Sequence, residues 1–130
     1  MVVSAAIEME IASLGAEDAA TFMKDLGITE PCLNRLIRTS YELLGLISFF
    51  TVGEDECRAW SVKKDASAVD AAGTIHTDFA KGFIRAEVVS YADFHASPSY
   101  KDLRAKGRAR LEGKEYSVQD GDVIEFRFSV

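Results

Sequence analysis

Apolar residues recur at helical spacing over the first third of the chain, in three sets that are each followed by a glycine. The spacing predicts three helices that end near Gly15, Gly27 and Gly45. Pro31 suits the first turn of the third helix, whose apolar stripe is the most regular. The three sets are Ile7, Ile11 and Leu14; Ala19, Phe22, Met23 and Leu26; and Leu33, Leu36, Ile37, Tyr41 and Leu44.

After Gly45 the apolar period changes from that of a helix to that of a strand. Residues 46–52 are apolar and β-favouring, and residues 57–62 alternate, so together they predict a hairpin. Residues 83–89 alternate again and predict a third strand. In that strand Ile84, Ala86 and Val88 fall on one side, and Arg85 and Glu87 fall on the other.

The segments before and after the third strand predict helices and further strands. Residues 66–76 are rich in alanine, which suits a helix packed closely on a sheet, and residues 91–107 predict a loop with one or two short helices. The end of the chain predicts two strands around Asp120-Gly121, the last of which places Ile124, Phe126 and Phe128 on one face. This order is typical of an α+β protein in which a β-grasp (ubiquitin-like) mixed sheet wraps on one helix.

Charge is unevenly distributed along the 130 residues, whose formal net charge is −6. Residues 1–30 contain six acids against Lys24 alone, whereas the basic segment, residues 101–114, contains six bases against two acids. An acidic protein with one basic segment is not a general nucleic-acid coat. The segment is either a solvated face or a local contact for phosphate. Its bases are Lys101, Arg104, Lys106, Arg108, Arg110 and Lys114.

Several classes of protein are excluded by missing patterns. The pair Gly113-Lys114 is followed by Glu115, so GxxxxGK(S/T) is absent, and so are GxSxG, HExxH and the dinucleotide glycine pattern. No apolar stretch is long enough to cross a membrane. Cys32 and Cys57 are 25 positions apart without clustered histidines, which favours reduced cysteines, no metal site and a cytoplasmic location.

His76 and Asp78 are the nearest approach to a catalytic pair. On a strand the two side chains would share a face and could form a general base with its orienting carboxylate. At a helix end His76 would instead lie in the last turn, where the helix dipole favours it, and Asp78 would cap the turn into Lys81-Gly82. A general base also needs a pocket and partners, so a turn or a contact surface is the favoured interpretation. Trp60, on an alternating strand, is expected to be in the core or half-buried.

Several phrases of the sequence resemble one family in order and spacing. "NRLIR", "YELLGLISFFT", "RAW", "AAGTIHTDFAKGFIRAEV" and "DGDVIEF" are similar to the C-terminal region of the Obg-like ATPase (YchF) family. The resemblance implies that residues 46–130 form its TGS domain, a β-grasp module. It also implies that residues 1–45 are a helical segment, the C-terminal edge of a truncated P-loop nucleotide-binding domain.

The same resemblance implies roles for particular residues. Ser4 and Ala5 look like the remnant of a motif beside the nucleotide base, while the P-loop and magnesium-binding residues would lie upstream. The parent proteins would use ATP or GTP with Mg, whereas this chain would hold no cofactor and catalyse no reaction. It would be a regulatory or docking module of a ribosome-associated ATPase or GTPase.

The motif "IHTD" resembles one in the TGS domains of stringent-response synthetases, which lie near the acceptor end of tRNA on the ribosome. That makes His76 a candidate contact for ribosome or RNA. The bases Lys101, Arg104, Lys106, Arg108 and Arg110 are the other candidates. A protein partner bound by a β-grasp edge is the alternative, and neither a membrane nor DNA is expected.

Overall fold

The computed structural model describes residues 2–53, 55–97 and 99–129, so the outer ends of both predicted domains, Met1 and Val130, lie outside the described residues. The chain forms two compact units, of which the first ends at Leu44 and the second begins at Gly45. The helices are α1 (Ala5–Ser13), α2 (Ala16–Asp25), α3 (Cys32–Leu44), α4 (Ala68–Ile75), α5 (Thr77–Lys81), α6 (Tyr91–Ala96) and α7 (Tyr100–Ala105). The strands are β1 (Leu46–Val52), β2 (Cys57–Lys63), β3 (Phe83–Ser90), β4 (Arg110–Glu112) and β5 (Asp122–Phe128).

The first unit contains the three predicted helices. The carboxylate of Glu8 on α1 accepts the backbone N–H of Cys32 at 3.0 and 3.1 Å, which caps the start of α3 with a negative charge. Arg38 donates two hydrogen bonds of 3.0 Å to Glu30. The apolar stripe of α3 is nevertheless exposed, with 62% of Leu33 and 50% of Ile37 accessible.

The second unit is built on a mixed sheet with the strand order β2-β1-β5-β3-β4. The pairs β1–β2, β5–β3 and β3–β4 are antiparallel, whereas β1 and β5 are parallel. Parallel neighbours need a long crossover connection, and here α4 lies within that connection. The predicted α+β class and mixed β-grasp sheet are confirmed.

The helix face of the sheet, which includes Phe49, Val88 and Ile124, packs against α4. Ala71 and Ala72 of α4 are fully buried there, because side chains this small let the helix approach the sheet closely. A capping box between Ser67 and Asp70 starts α4. The alanine-rich helix therefore lies where the sequence predicts it.

The second face of the sheet, which includes Glu87, Val89 and Val123, is also covered. Val89 and Val123 are almost fully buried, and α6 packs against β3 and β5 on this side. Leu103 of α7 is buried as well. The segment 91–107 therefore supplies short helices for the face opposite α4.

The two strands expected around Asp120-Gly121 are only partly correct. β5 follows Gly121, but the strand before it lies further back, at β4, and pairs with β3. β5 already has β1 on one edge and β3 on the other, so no edge is left for a hairpin partner. The intervening turn is instead attached to β1, where Ser48 donates its N–H to Asp120 at 2.8 Å and accepts one from Gly121 at 2.8 Å.

Substitution of Gly82 is predicted to destabilise the sheet. A Cβ at this position would overlap the backbone carbonyl of Ser129, whose N–H donates to Gly82 across the same contact at 2.9 Å. We expect Gly82→Ala to lower the free energy of unfolding in urea by about 1–3 kcal/mol. Gly113→Ala is the matched control, since nothing lies within 4 Å of the added atom. Equal stability of the two variants would contradict the prediction.

Candidate functional site

His76 lies at the junction between α4 and α5, in extended backbone with φ −160° and ψ 142°. It ends α4 and begins α5, because its Nδ1 accepts the backbone N–H of Asp78 at 3.2 Å. A side-chain acceptor in this position satisfies one of the free N–H groups at a helix start. The structure thus shows a helix end rather than a strand, but the cap comes from His76 and not from Asp78. It also adds α5, a helix that the sequence pattern did not reveal.

The His76 and Asp78 side chains are close without forming an enclosed site. His76 Nδ1 lies 3.5 Å from Asp78 Oδ2, and the two side chains are 60% and 47% exposed. Among the described residues no group of three or more His, Cys, Asp or Glu could hold a metal. Such an open pair suits contact with a partner better than proton transfer, which needs a pocket that excludes water.

The junction surface consists of His76, Asp78, Phe79 and Lys81. The imidazole of His76 lies 6.2 Å from the ring of Phe79, which stacks on Phe128 at 3.8 Å. Lys81 is 79% exposed and lies 3.8 Å from Asp78. The surface therefore combines a fixed, accessible imidazole with an aromatic ring and a cation. The sequence did not indicate Phe79 as part of it.

The predicted contact residue Arg104 is engaged inside the molecule. Its guanidinium hydrogen-bonds the carboxylate of Glu87, which lies on the second face and is only 1% exposed. Arg127 also donates to Glu87 at 3.1 Å. The hydrogen bond from Arg104, assisted by Arg127, holds the pKa of Glu87 below its usual value against the opposing effect of burial.

Other groups beside Glu87 complete this internal ion pair. Arg104 reaches Glu125 at 3.3 Å on the neighbouring strand. Tyr100, one turn before Arg104 on α7, has a buried hydroxyl that bonds to none of the described residues. Burial raises the pKa of Tyr100 above its ordinary value. The cluster fastens α7 to the sheet, and Arg104 is paired with Glu87 and Glu125 although its side chain is 46% exposed.

Two further arginines of the basic segment also have internal partners. Arg110 donates to the Tyr116 hydroxyl at 3.0 Å, and that hydroxyl donates to the buried carboxylate of Asp122 at 2.8 Å. Burial, with the Asp122 contact, raises the pKa of Tyr116 to about 12. Arg108 lies 4.0 Å from Asp93 on α6. Arg108 thus joins the end of the basic segment to α6 on the second face, whereas Arg110, which pairs with Val88, contacts Tyr116 on the helix face.

The lysines of the basic segment remain available. Lys101 and Lys106 are exposed on α7 and at its end. No acidic side chain of the described ranges 2–53, 55–97 and 99–129 lies within 4.0 Å of either. The sheet separates them from His76, because α4 and α5 pack on the helix face and α7 is tied to Glu87 on the second face. The structure does not bring the two sets of candidate residues together.

Ser4, Ala5 and Trp60, which the sequence analysis also named, lie outside the junction surface and the basic segment. Ser4 precedes α1, makes no side-chain cap bond and is exposed, and Ala5 is the first residue of that helix. Trp60 is half-buried on β2, as expected, and donates its indole N–H to Thr51 at 2.9 Å. The guanidinium of Arg58 lies over its ring at 4.3 Å. That stacking occupies a face that a nucleobase would need.

Comparison with known proteins gives a consistent result. A family model for the C-terminal domain of YchF GTPases, described as a protein of unknown function (DUF933), matches residues 46–129. A relative from Bacillus subtilis, "Ribosome-binding ATPase YchF", is 54% identical over 100% of this chain and 36% of its own length. One of the same name from Haemophilus influenzae is 56% identical over 98% of this chain and 35% of its own length.

A solved structure agrees with these relatives. The YchF GTPase of Schizosaccharomyces pombe superposes with a TM-score of 0.85 at 37% identity, covering 96% of this chain and 33% of its own. A GTP-binding protein from Pyrococcus horikoshii has a TM-score of 0.55 at 22% identity, which supports the fold alone. This chain therefore spans about a third of the length of the proteins it matches.

The buried Glu87 predicts a pH-dependent loss of stability. Its pKa in the folded state lies below the ordinary value of 4.5, so its stabilising effect is complete above 4.5 and is lost as the pH falls through the folded-state pKa. We expect Glu87→Gln to lower the free energy of unfolding at neutral pH by about 1–3 kcal/mol. The difference from the unmodified chain should shrink steadily below pH 4.5.

Glu125→Gln serves as the control for this titration. The Glu125 carboxylate is 47% exposed and lies 3.3 Å from Arg104. Its removal should therefore lower the free energy of unfolding much less than Glu87→Gln does. Urea unfolding of the three proteins from neutral to acidic pH measures both effects. A Glu87→Gln difference that stays constant with pH would show that the carboxylate charge is not what stabilises α7 on the sheet.

Proposed function

The chain belongs to the YchF family, whose C-terminal part it matches, and we propose that it is the docking or regulatory module of a ribosome-associated ATPase. The relatives that it matches over nearly its whole length are named ribosome-binding ATPases. In this proposal the chain meets ribosome or RNA and acts in the cytoplasm. No helix of the described residues is long and apolar enough to cross a bilayer.

The observation that carries the proposal is the junction surface. Nδ1 of His76 is committed to the backbone of Asp78, so a neutral ring carries its proton on Nε2, away from that bond. An imidazole held in this way, 60% exposed, can donate to a sugar or base oxygen and stack on an unpaired base. Lys81 adds a nearby cation for phosphate.

Lys101 and Lys106 supply a second, electrostatic contribution to binding of ribosome or RNA. Both are exposed without an acidic partner in the described ranges, so their charge acts on the surroundings. Arg104, Arg108 and Arg110 are candidates of lower weight, because each has an internal partner. A large assembly such as a ribosome can meet both faces of a small domain, as the separation of the two sets requires.

We also propose that the first unit, which corresponds to the predicted helical segment 1–45, is the edge of a nucleotide-binding domain. The exposed apolar residues of α3 support this, because a stripe of this kind normally packs against another surface. Ser4 is exposed with a side chain that makes no cap bond, so it fits a contact with a nucleotide base. ATP or GTP and Mg would be held chiefly by the parent protein, since the described residues offer no metal-binding cluster.

The proposal predicts that the 130-residue chain does not hydrolyse ATP or GTP. It lacks the glycine-rich loop and lysine that hold the phosphates. Release of phosphate by the purified chain should match that of a mock preparation, and His76→Ala should leave this background unchanged. Turnover that purifies with the chain and disappears in His76→Ala would favour a catalytic role for the junction instead.

Ribosome co-sedimentation over a salt series tests the docking role. We expect binding that weakens as salt rises, a weaker interaction for His76→Ala, and a salt slope smaller by roughly one for Lys106→Glu. Lys24→Glu on α2 is the matched charge control and should reduce binding less. Absence of binding at every salt concentration would remove the proposed function for this chain.

A further inference from the structure

The sheet of the second unit has one long edge that no other described strand covers. β2 and β4 are the outer strands, but β4 has three residues and β2 has seven. β2 contains no proline, and its register with β1 runs without a bulge from Leu46↔Lys63 to Val52↔Cys57. Bulges and prolines are common ways in which proteins protect an edge strand from pairing. β2 has neither.

The register shows which backbone groups of β2 point outward. At one end of the hairpin Gly53 donates to Glu56 at 2.8 Å, and at the other Lys64 donates to Gly45 at 2.8 Å. Hydrogen-bonded and non-hydrogen-bonded pairs alternate along an antiparallel ladder, so the even-numbered residues of β2 bond to β1. The N–H and C=O groups of Cys57 and Ala59 therefore point away from the sheet, and both residues are exposed.

The side chains along β2 determine which kind of strand could pair with this edge. On the helix face, the guanidinium carbon of the exposed Arg58 lies 4.3 Å from the centre of the Trp60 ring. On the second face, Ala59 is small and lies opposite the half-buried Phe50, whose ring is 5.9 Å from the exposed Tyr91. A strand placed along β2 would meet the cation of Arg58 on the helix face. On the second face it would meet an uncharged stretch around Ala59 with room for an apolar side chain, and Lys63 at the far end of β2.

We propose that β2 is a strand-addition site for an extended segment of a partner protein in which acidic and apolar residues alternate. Acidic side chains of the segment lie beside Arg58 on the helix face, and apolar side chains lie beside Ala59 on the second face. Main-chain hydrogen bonds to Cys57 and Ala59 supply the register. The interaction goes beyond the proposed ribosome contact, and it uses residues apart from His76 and the basic segment.

A second copy of this chain fits the edge less well. β2 carries Arg58 and Lys63 and no acidic residue, so two β2 strands would bring like charges together. RNA is also disfavoured. One face of the only tryptophan is occupied by Arg58, and the neighbouring Cys57, Ala59 and Phe50 carry no charge for phosphate.

The position of Trp60 on β2 makes its fluorescence a direct reporter of binding, because the chain has a single tryptophan. The probe is a synthetic peptide of alternating valine and glutamate, acetylated and amidated at its ends, titrated into the full chain. We expect a saturable change, and we expect Ala59→Pro to weaken binding about tenfold because it removes an outward N–H. Ala59→Thr keeps that N–H and is the matched control.

Arg58→Glu tests the charge requirement independently of the backbone. This variant should bind the valine–glutamate peptide about tenfold more weakly and should bind a valine–lysine peptide about tenfold better than the unmodified chain does. This change of preference from the valine–glutamate peptide to the valine–lysine peptide tests the proposal even if Ala59→Pro fails to fold. Failure of both peptides to bind, or equal binding by all variants, would overturn the proposal.

Two further readouts separate the possible occupants. Sedimentation velocity that shows dimers of the chain, abolished by Ala59→Pro without any binding of peptide, would assign the edge to a second copy and overturn the proposal. Ribosome co-sedimentation of Ala59→Pro should match that of the unmodified chain. A loss of both ribosome and peptide binding in this variant would show that the edge belongs to the ribosome contact, against the proposed protein segment.

Discussion

The parallel pairing of β1 with β5 is the constraint on which the second unit depends. Parallel neighbours cannot be joined by a tight turn, so the chain between them must cross the sheet, and α4 lies in this connection. β5 then lies between β1 and β3 with no free edge, and both of its faces need apolar cover. The alanines of α4 cover one face closely, and the segment with α6 and α7 covers the other.

The covering of the second face determines what the basic segment can do. A buried carboxylate is tolerated only with strong partners, and Glu87 obtains them from Arg104 and Arg127. Arg108 lies 4.0 Å from Asp93 on the same face, and Arg110 donates to Tyr116 on the helix face. Each of these three arginines of the basic segment therefore has a partner within the unit. Lys101 and Lys106, by contrast, are exposed and lie more than 4.0 Å from every acidic side chain of the described residues.

The junction at His76 combines a structural role with an accessible surface. One ring nitrogen caps α5, and this bond fixes the ring beside Phe79 while leaving its other nitrogen accessible. The same short motif therefore explains why the backbone turns between α4 and α5 and why a polar, stackable group is presented there. The cap agrees with the interpretation of the motif as a turn, and contact with ribosome or RNA remains a proposal that co-sedimentation decides.

The sequence by itself determined the elements whose signals are local. Periodicity and the glycines at 27 and 45, which adopt φ of +69° and +61°, indicated the three helices. A run of apolar, β-favouring residues indicated β1, and alternation indicated β2 and β3. Beyond the β1–β2 hairpin, only the tertiary structure decided which strands pair, because the other pairs join residues far apart in the chain. Three features follow from that pairing. β4 lies beside β3, Glu87 is buried although its side of the strand looks polar in the sequence, and His76 is separated from the lysines. A local pattern carries no information on what will cover a face, since the cover comes from another part of the chain.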